Sequence, residues 1–576
     1  MVHLKKNILM NTFSVVMHGW LPYAAGCIIS HCRRDSWIDE NFKFMDPGYT
    51  VDDTYYEKLL EADILCYSTY IWNQAECDSL ARWYKEQKPE GIVCYGGANV
   101  PEDEPYFSEY CAERPFVDHF FIGTGEEKFS HFLKTGEIDN TTERRKYTKI
   151  DLPTPYSDGV FDRYVKEKTN LVAAIETNRG CPYACSFCDW GGTARSKINR
   201  FDIDDIKKEL QYIFAHESIV RIEIIDANFG TFERDLEIIE YMVTLQEQRK
   251  NKLVINFSGF AKNGSKWLLP IIQLTGKYFS GQHGMSSIKL SFQSHDKKVL
   301  NINQRGNIPN EKLYPLMHEF QKKGVDIDAE MIIGLPGETV ETFLNSLEIN
   351  RQLHIHQQKT YMLWALPNTP LYSKEFKEEY GVKTKKMFIP NDLNKLNTKV
   401  YHEARMRGEE VYTTCDFSNP LEYSIFETVH ECFSYSTQEL AEIYDVYFWF
   451  NMFYNSHLAR QQMIENPLSI HMQYDVYKNT DMPFVKSLQE DYRILVNETV
   501  ATPGEVTYIT KLSQAVWLTK FMLRSKEMYE IYHNQQIAFN EIKQIYPTIN
   551  TNWKELSSQD QHKLYYKPSK VPHAKT

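Results

Sequence analysis

The stretch Glu176-Thr-Asn-Arg-Gly-Cys181-Pro-Tyr-Ala-Cys185-Ser-Phe-Cys188-Asp-Trp190 decides how this chain is read. Cysteines spaced by four and then three put three thiols around one short loop, close enough to grip three corners of an iron-sulfur cube. The fourth iron is then left without a protein ligand and takes a small molecule. The competing reading is a structural zinc site, which needs a fourth ligand and usually draws its cysteines in CxxC pairs. His216 supplies that ligand only by folding back across a helical stretch.

Outward from this loop, residues 170–372 alternate between strand and helix patterns. The expected strands are Leu171–Glu176, Val220–Ile225, Leu253–Phe257, Ile288–Phe292, Ile327–Ile333 and Thr360–Trp364. Six such units predict a partial (βα)6 barrel, where eight would predict a closed one. Polar residues and glycines gather at the strand ends, in Asp226-Ala-Asn-Phe-Gly230, Leu290-Ser-Phe-Gln-Ser294, Met331-Ile-Ile-Gly-Leu-Pro-Gly-Glu-Thr339 and Ala365-Leu-Pro-Asn-Thr-Pro-Leu-Tyr372. In the second of these, alternation puts Ser291 and Gln293 on one face and Phe292 on the other. On residue chemistry alone, Asp226 and Asn228 also read as a capped turn before a helix.

The CxxxCxxC spacing, the aromatic Phe187 before the third cysteine, and these strand-end motifs in this order resemble the radical S-adenosylmethionine (SAM) superfamily. The resemblance implies a 4Fe-4S cluster on Cys181, Cys185 and Cys188, with SAM chelating the open iron. Phe187, Asp226, Asn228, Ser291, Gln293, Gly334 and Pro367 are its implied SAM contacts. Asp226 and Asn228 would hold the ammonium group and order the next loop, and Ser291 and Gln293 would bond the ribose or carboxylate. Gly334 and Pro367 would line the adenine pocket. In that chemistry the reduced cluster splits SAM into methionine and a 5′-deoxyadenosyl radical, which removes hydrogen from an unactivated carbon. A reductant such as flavodoxin or ferredoxin is the implied partner.

Residues 1–140 read as a doubly wound parallel sheet. The expected strands are Asn7–Thr12, Asp63–Tyr67, Gly91–Tyr95 and Asp118–Ile122, with helices at Gln74–Lys88 and Glu126–Lys134. Ligands sit at the carboxyl ends of such strands, where Ser68, Gly96, Gly97 and Gly123 fall. Paired glycines let backbone approach a large flat ligand. This order resembles the cobalamin-binding domain of cobalamin-dependent radical enzymes, so cobalamin at these four residues is implied. The Asp-x-His-x-x-Gly of the methionine synthase version is absent. Asn11-Thr-Phe-Ser-Val-Val-Met-His-Gly19 stands there instead, and His18 has the wrong flanks for a lower axial ligand.

Residues 141–169 read as a linker, its prolines favouring an extended path. Residues 373–576 read as a mainly helical domain, with helices over Thr437–Ser456 and Glu505–Phe539 whose Tyr and Phe are core. Asn391–Pro420 reads as a long connection or a cover over the barrel mouth. The fold class is therefore α/β in three parts: cobalamin-binding-like sheet, partial barrel and helical domain.

A net charge of −12, from 65 Lys plus Arg against 77 Asp plus Glu, argues against general attraction to nucleic acid. Eleven cysteines, eight of them scattered, fit free thiols in a reducing cytoplasm. Asn11, His18 and Pro22 interrupt the apolar start, which reads as a buried strand rather than a secretory signal, and no run reaches membrane-span length. The expected activity is cobalamin-dependent methylation of an unactivated carbon. The alternatives are a cobalamin-free rearrangement or ring closure, and a non-catalytic protein sensing redox state or SAM. Methylthiolation is disfavoured, because the front cysteines are scattered and the tail reads as helical. Nothing in the sequence selects a substrate.

Overall fold

The computed structural model describes residues 5–11, 19–46, 53–138, 151, 153–191, 198–260, 262, 265–279, 287–391, 415–419, 421–455, 460–466, 468–481, 483–502 and 504–509. Its amino-terminal sheet has five parallel strands, β1 (Lys6–Asn11), β2 (Phe42–Phe44), β3 (Ile64–Ser68), β4 (Ile92–Gly96) and β5 (His119–Phe120), in the order β2-β1-β3-β4-β5. The pleat sends alternate residues to opposite faces, so consecutive residues of β1 serve two cores. Leu9 joins Tyr67, Leu80, Tyr84 and Tyr95 on one side. Ile8 and Met10 join Ile29, Phe121, Phe129 and Phe132 on the other. That double covering is the expected doubly wound form. The short edge strand β2 and the helix Tyr23–Arg33 are additions to the sequence reading.

The barrel consists of β6 (Leu171–Ile175), β9 (Ile219–Ile224), β10 (Val254–Phe257), β11 (Ser287–Gln293), β12 (Asp326–Ile333) and β13 (Gln357–Met362), all parallel. They form two ladders, β10-β9-β6 and β11-β12-β13. The six expected strands are the six observed. The last begins three residues early, because Gln358 is drawn inward by Asn455 and Asn350. After β6, a small antiparallel hairpin of β7 (Asn178–Arg179) and β8 (Asn199–Arg200) brackets the cysteine loop.

Two expectations change. The prolines at 153 and 155 do not lead into a free extended path: Tyr156 is fully buried, donates from its hydroxyl to the Ala174 carbonyl at 2.8 Å, and the Tyr156 and Ser157 amides donate to Glu209. Thr154 also receives Arg34 and donates its amide to Ser30, both on the amino-terminal unit, so this segment is a wedge between units. Thr141–Lys149 and His18 lie outside the described residues.

The carboxyl-terminal region is mainly helical, but it also contains a sheet of β14 (Lys383–Pro390), β15 (Tyr423–Glu431) and β16 (Val506–Tyr508). The expected helix at Glu505 is therefore a strand at its described start, and the rest of it, like most of Asn391–Pro420, is outside the described residues. The helix Thr437–Phe450 follows expectation. Its Tyr444, Tyr447, Trp449 and Phe450 are core, packed in one cluster with Ile333, Phe343, Leu347 and Met362 of the barrel. Among the described residues, no helix is long and apolar enough to cross a membrane.

Candidate functional site

The cysteine loop is shaped from its stem. Asp226, at the end of β9, is fully buried and accepts four hydrogen bonds from the residues just after β6. They come from the Thr177 amide at 2.7 Å, the Thr177 hydroxyl, the Asn178 amide at 3.3 Å and Asn178 Nδ2 at 2.7 Å. Burial pushes its carboxyl up to about 8, against the pull of the Thr177 hydrogen bonds. Both oxygens of Asp226 are thus engaged with backbone and side chains of the stem, and in this structure it braces the loop.

Within the loop, Ser186 is held at both backbone polar groups. Its amide donates to the Asn303 carbonyl at 3.0 Å, and its carbonyl accepts from the Leu371 amide at 2.8 Å. Asn303, fully buried, passes the tie on by donating from Nδ2 to the carbonyls of Val299 and Pro336. Cys181 and Cys185 are buried and Cys188 is half-buried, and all eleven cysteines are free. Donors face two of the loop's sulfurs. Asn228 Nδ2 lies 3.1 Å from Cys181 Sγ, and Arg305 Nη1 lies 3.7 Å from Cys185 Sγ. Burial lowers the Lys262 ammonium, with Arg305 adding to the shift, while the three cysteines pull it back up. Donors and cations around three thiols suit sulfur that carries negative charge. Among the described residues, no three His, Cys, Asp or Glu side chains converge on a single ion. His216 sits before β9, at the other end of the strands, with Nδ1 2.8 Å from the Tyr212 carbonyl, so it does not complete a zinc tetrahedron with this loop.

Around the loop, two buried acceptors have no partner: Asn228 Oδ1 and Gln293 Oε1. A buried acceptor without a donor costs about 1–3 kcal/mol, so a ligand that donates to it is favoured. Gln293 holds φ of +67° next to a register shift in the β11–β12 pairing, which aims its side chain away from the regular face. Ser291 is committed elsewhere, donating to Glu330 Oε2 at 2.5 Å, while the Tyr361 hydroxyl donates to the other Glu330 oxygen at 3.3 Å. Phe187 packs in the core beside Val299 and Ile333. Gly334, at φ +94°, gives its carbonyl to the Tyr435 hydroxyl at 2.5 Å. Pro367 lies in the turn after β13, half-buried.

The amino-terminal candidates converge on one place. Ser68, Gly96, Gly97 and Gly123 all line a cavity of about 440 Å³, a size usual for ligand sites. Its opposite wall is the root of the cysteine loop: Glu176, Arg179, Gly180, Asp189 and Trp190. A Cβ on Gly97 would meet the Thr69 carbonyl at 2.7 Å, so the backbone there is bare toward its neighbours by necessity. No histidine is among the described residues of the lining.

Sequence reasoning missed the ion triad in this wall. Arg179 donates from Nη1 to Glu126 at 3.0 Å, and from Nε and Nη2 to Glu176 at 2.9 and 2.6 Å. Burial pushes the Glu126 carboxyl upward, but Arg179, a backbone hydrogen bond and His31 together hold the group below its usual range. All three residues stand inside motifs already quoted, and a charged residue two positions before the first cysteine was the available signal. Arg305 closes the run Leu300-Asn-Ile-Asn-Gln-Arg305, which resembles the stretch after strand four in the radical SAM superfamily, whereas Lys262 gave no signal.

Known proteins agree with this architecture. The sequence profile of the radical SAM superfamily matches residues 175–349. Over 399 residues the chain is 30% identical to the cobalamin-dependent radical SAM methyltransferase TokK of Streptomyces tokunonensis, a match covering 64% of this chain and 57% of that protein. It is 29% identical, with the same coverage, to the 2-(S-pantetheinyl)-carbapenam-3-carboxylate methyltransferase of Streptantibioticus cattleyicolor. The match thus spans little more than half the length of these relatives. Among solved structures, the radical SAM methyltransferase TsrM of Kitasatospora setae superposes with a TM-score of 0.50 at 14% identity, covering 91% of this chain and 99% of that one, a likeness of fold. The stretch that the radical SAM profile matches, residues 175–349, contains the cysteine loop and the strands β9 to β12.

Proposed function

We propose that this chain is a cobalamin-dependent radical SAM methyltransferase acting on an unactivated carbon. The observation that carries the proposal is the shared cavity, in which the glycine-bearing strand ends of the amino-terminal sheet face the root of the cysteine loop. The similarity to two relatives named as methyltransferases, one of them as cobalamin-dependent, supports it.

In this reading Cys181, Cys185 and Cys188 hold a 4Fe-4S cluster, with Asn228 and Arg305 donating to its sulfur ligands. Asn228 Oδ1 and Gln293 Oε1 accept from the ammonium and ribose hydroxyls of SAM. Gly96, Gly97 and Gly123 would line the corrin's side of the cavity, and Gly123, where an added Cβ meets nothing within 4 Å, would leave it room. When bound, the cluster supplies one electron to the SAM sulfonium and the corrinoid supplies the methyl group. The protein's own work is placement: Asp226 fixes the stem, Asn303 fixes the loop, and Trp190 stands at the cavity wall with 43% of its surface exposed. A small electron-transfer protein is the reductant.

Protein made anaerobically with hydroxocobalamin, iron and sulfide is expected to carry about four irons and one corrinoid per chain, measured by metal analysis and absorbance. Incubated with SAM and a strong reductant, it is expected to release methionine and 5′-deoxyadenosine. Iron without corrinoid replaces methyl transfer with cobalamin-free radical chemistry. Persistent lack of SAM cleavage by the loaded protein sinks both.

A further inference from the structure

We propose that Asn368 and Arg179 are positioning residues: each pins one glycine loop of the cavity wall to the barrel, and together they set the distance between the two cofactors. The role presupposes the corrinoid reading above.

The loop after β4 runs from Gly97 to Glu102. Asn368, in the turn after β13, spends its whole side chain on that loop's backbone. Its Oδ1 accepts from the Glu102 amide at 2.7 Å, and its Nδ2 donates to the carbonyls of Ala98 at 3.0 Å and Val100 at 2.9 Å. These contacts bridge 266 to 270 residues of sequence. Asn368 also holds φ of +65°, a region that glycine occupies at no steric cost. Asparagine at a position suited to glycine is explained by the three bonds that only its amide makes.

The second pin is chemically different. The loop after β5 runs into the helix Gly125–Thr135, whose first turn carries Glu126, and Glu126 Oε1 takes Arg179 Nη1 at 3.0 Å. Arg179 is itself locked by Glu176, three residues before it and at the end of the first barrel strand. The two pins therefore reach the wall from opposite ends of the strand series, one beside β6 and one beside β13. Other ties join the amino-terminal unit to the barrel, such as the Leu21 amide on the Val172 carbonyl at 2.9 Å, but these two act at the cavity wall itself. Methyl transfer across a cavity tolerates little misplacement, since about 1 Å is worth on the order of 100-fold in rate.

The test uses the full chain loaded with cluster and hydroxocobalamin. N368G keeps the backbone conformation and removes only the three bonds. E126Q keeps the size of the other pin and removes its charge. Iron content, corrinoid affinity, and the microwave-power saturation of the cob(II)alamin electron paramagnetic resonance signal beside the reduced cluster are measured. The last depends on the distance between the two centres. Both variants are expected to keep full iron content, to bind hydroxocobalamin about tenfold more weakly, and to saturate at lower power as the centres separate. Native affinity and native saturation in both variants overturn the proposal. So does loss of iron along with corrinoid in both, which assigns the residues to maintenance of the fold. A native chain that takes up the cluster but no corrinoid overturns the functional reading itself, which is a separate result.

Discussion

Gly97 and Gly123 both hold positive φ, at +99° and +73°, yet a methyl group added at each would fare differently. At Gly97 it would lie 2.7 Å from the Thr69 carbonyl and 2.8 Å from its amide, and at Gly123 nothing lies within 4 Å. G97A is expected to cost about 2–3 kcal/mol and G123A about 1–2 kcal/mol, read from denaturant unfolding. Asp226 offers a second measurement. Its folded pKa of about 8 lies above the ordinary carboxylate range, so the folded chain holds a proton that the unfolded chain has released. Its contribution to stability is complete in acid and is lost as pH rises from about 4 through 8. D226N is expected to flatten that part of the stability profile, and an unchanged slope in thermal melts across this range would contradict it. These residues also mark what the sequence does and does not disclose. The three cysteines were legible because spacing alone carries their meaning. Which of its two expected roles Asp226 takes was not legible, because a carboxylate at a strand end looks the same whether it faces a ligand or its own neighbouring strand.

Six barrel strands were legible as elements because each is a continuous apolar run or a regular alternation ended by turn residues. β2 and β5 are three and two residues long, too short to show a period, though β5 fell inside a longer expected run. β14 was missed for another reason. Lys383-Thr-Lys-Lys-Met-Phe-Ile-Pro390 carries three lysines, one of which, Lys385, is buried with its ammonium against the carbonyls of Val500 and Thr502. Burial pushes Lys385 down to about 8, a cost that only tertiary contacts reveal. At this scale the cysteine loop is held at several separate points, Ser186 by Asn303, Cys181 by Asn228 and Cys185 by Arg305. C185A is expected to abolish SAM cleavage while leaving the melting temperature within a few degrees of native, because the ties at Ser186 are made by backbone and by Asn303. Release of 5′-deoxyadenosine by C185A at the native rate would remove cluster chemistry from this loop.

For the molecule as a whole, sequence reading separated three parts, and the packing joins two of them. One hydrophobic cluster runs from Ile333, Phe343 and Met362 of the barrel into Tyr444, Trp449 and Tyr477 of the carboxyl-terminal helices, across the expected boundary at 372. A chain ended after Glu379 would expose these barrel residues. It is expected to be insoluble or to lose its cooperative melt, whereas the full chain melts its barrel and tail together. Such contacts were illegible because they join residues about a hundred positions apart that carry no mark of each other. The stem of the cysteine loop has a consequence for manufacture. Every bond that shapes it, from Asp226 to Thr177 and Asn178, is made by the polypeptide itself. Protein purified in air is therefore expected to be a blank that takes up iron and sulfide on later anaerobic loading, which metal analysis before and after reconstitution checks.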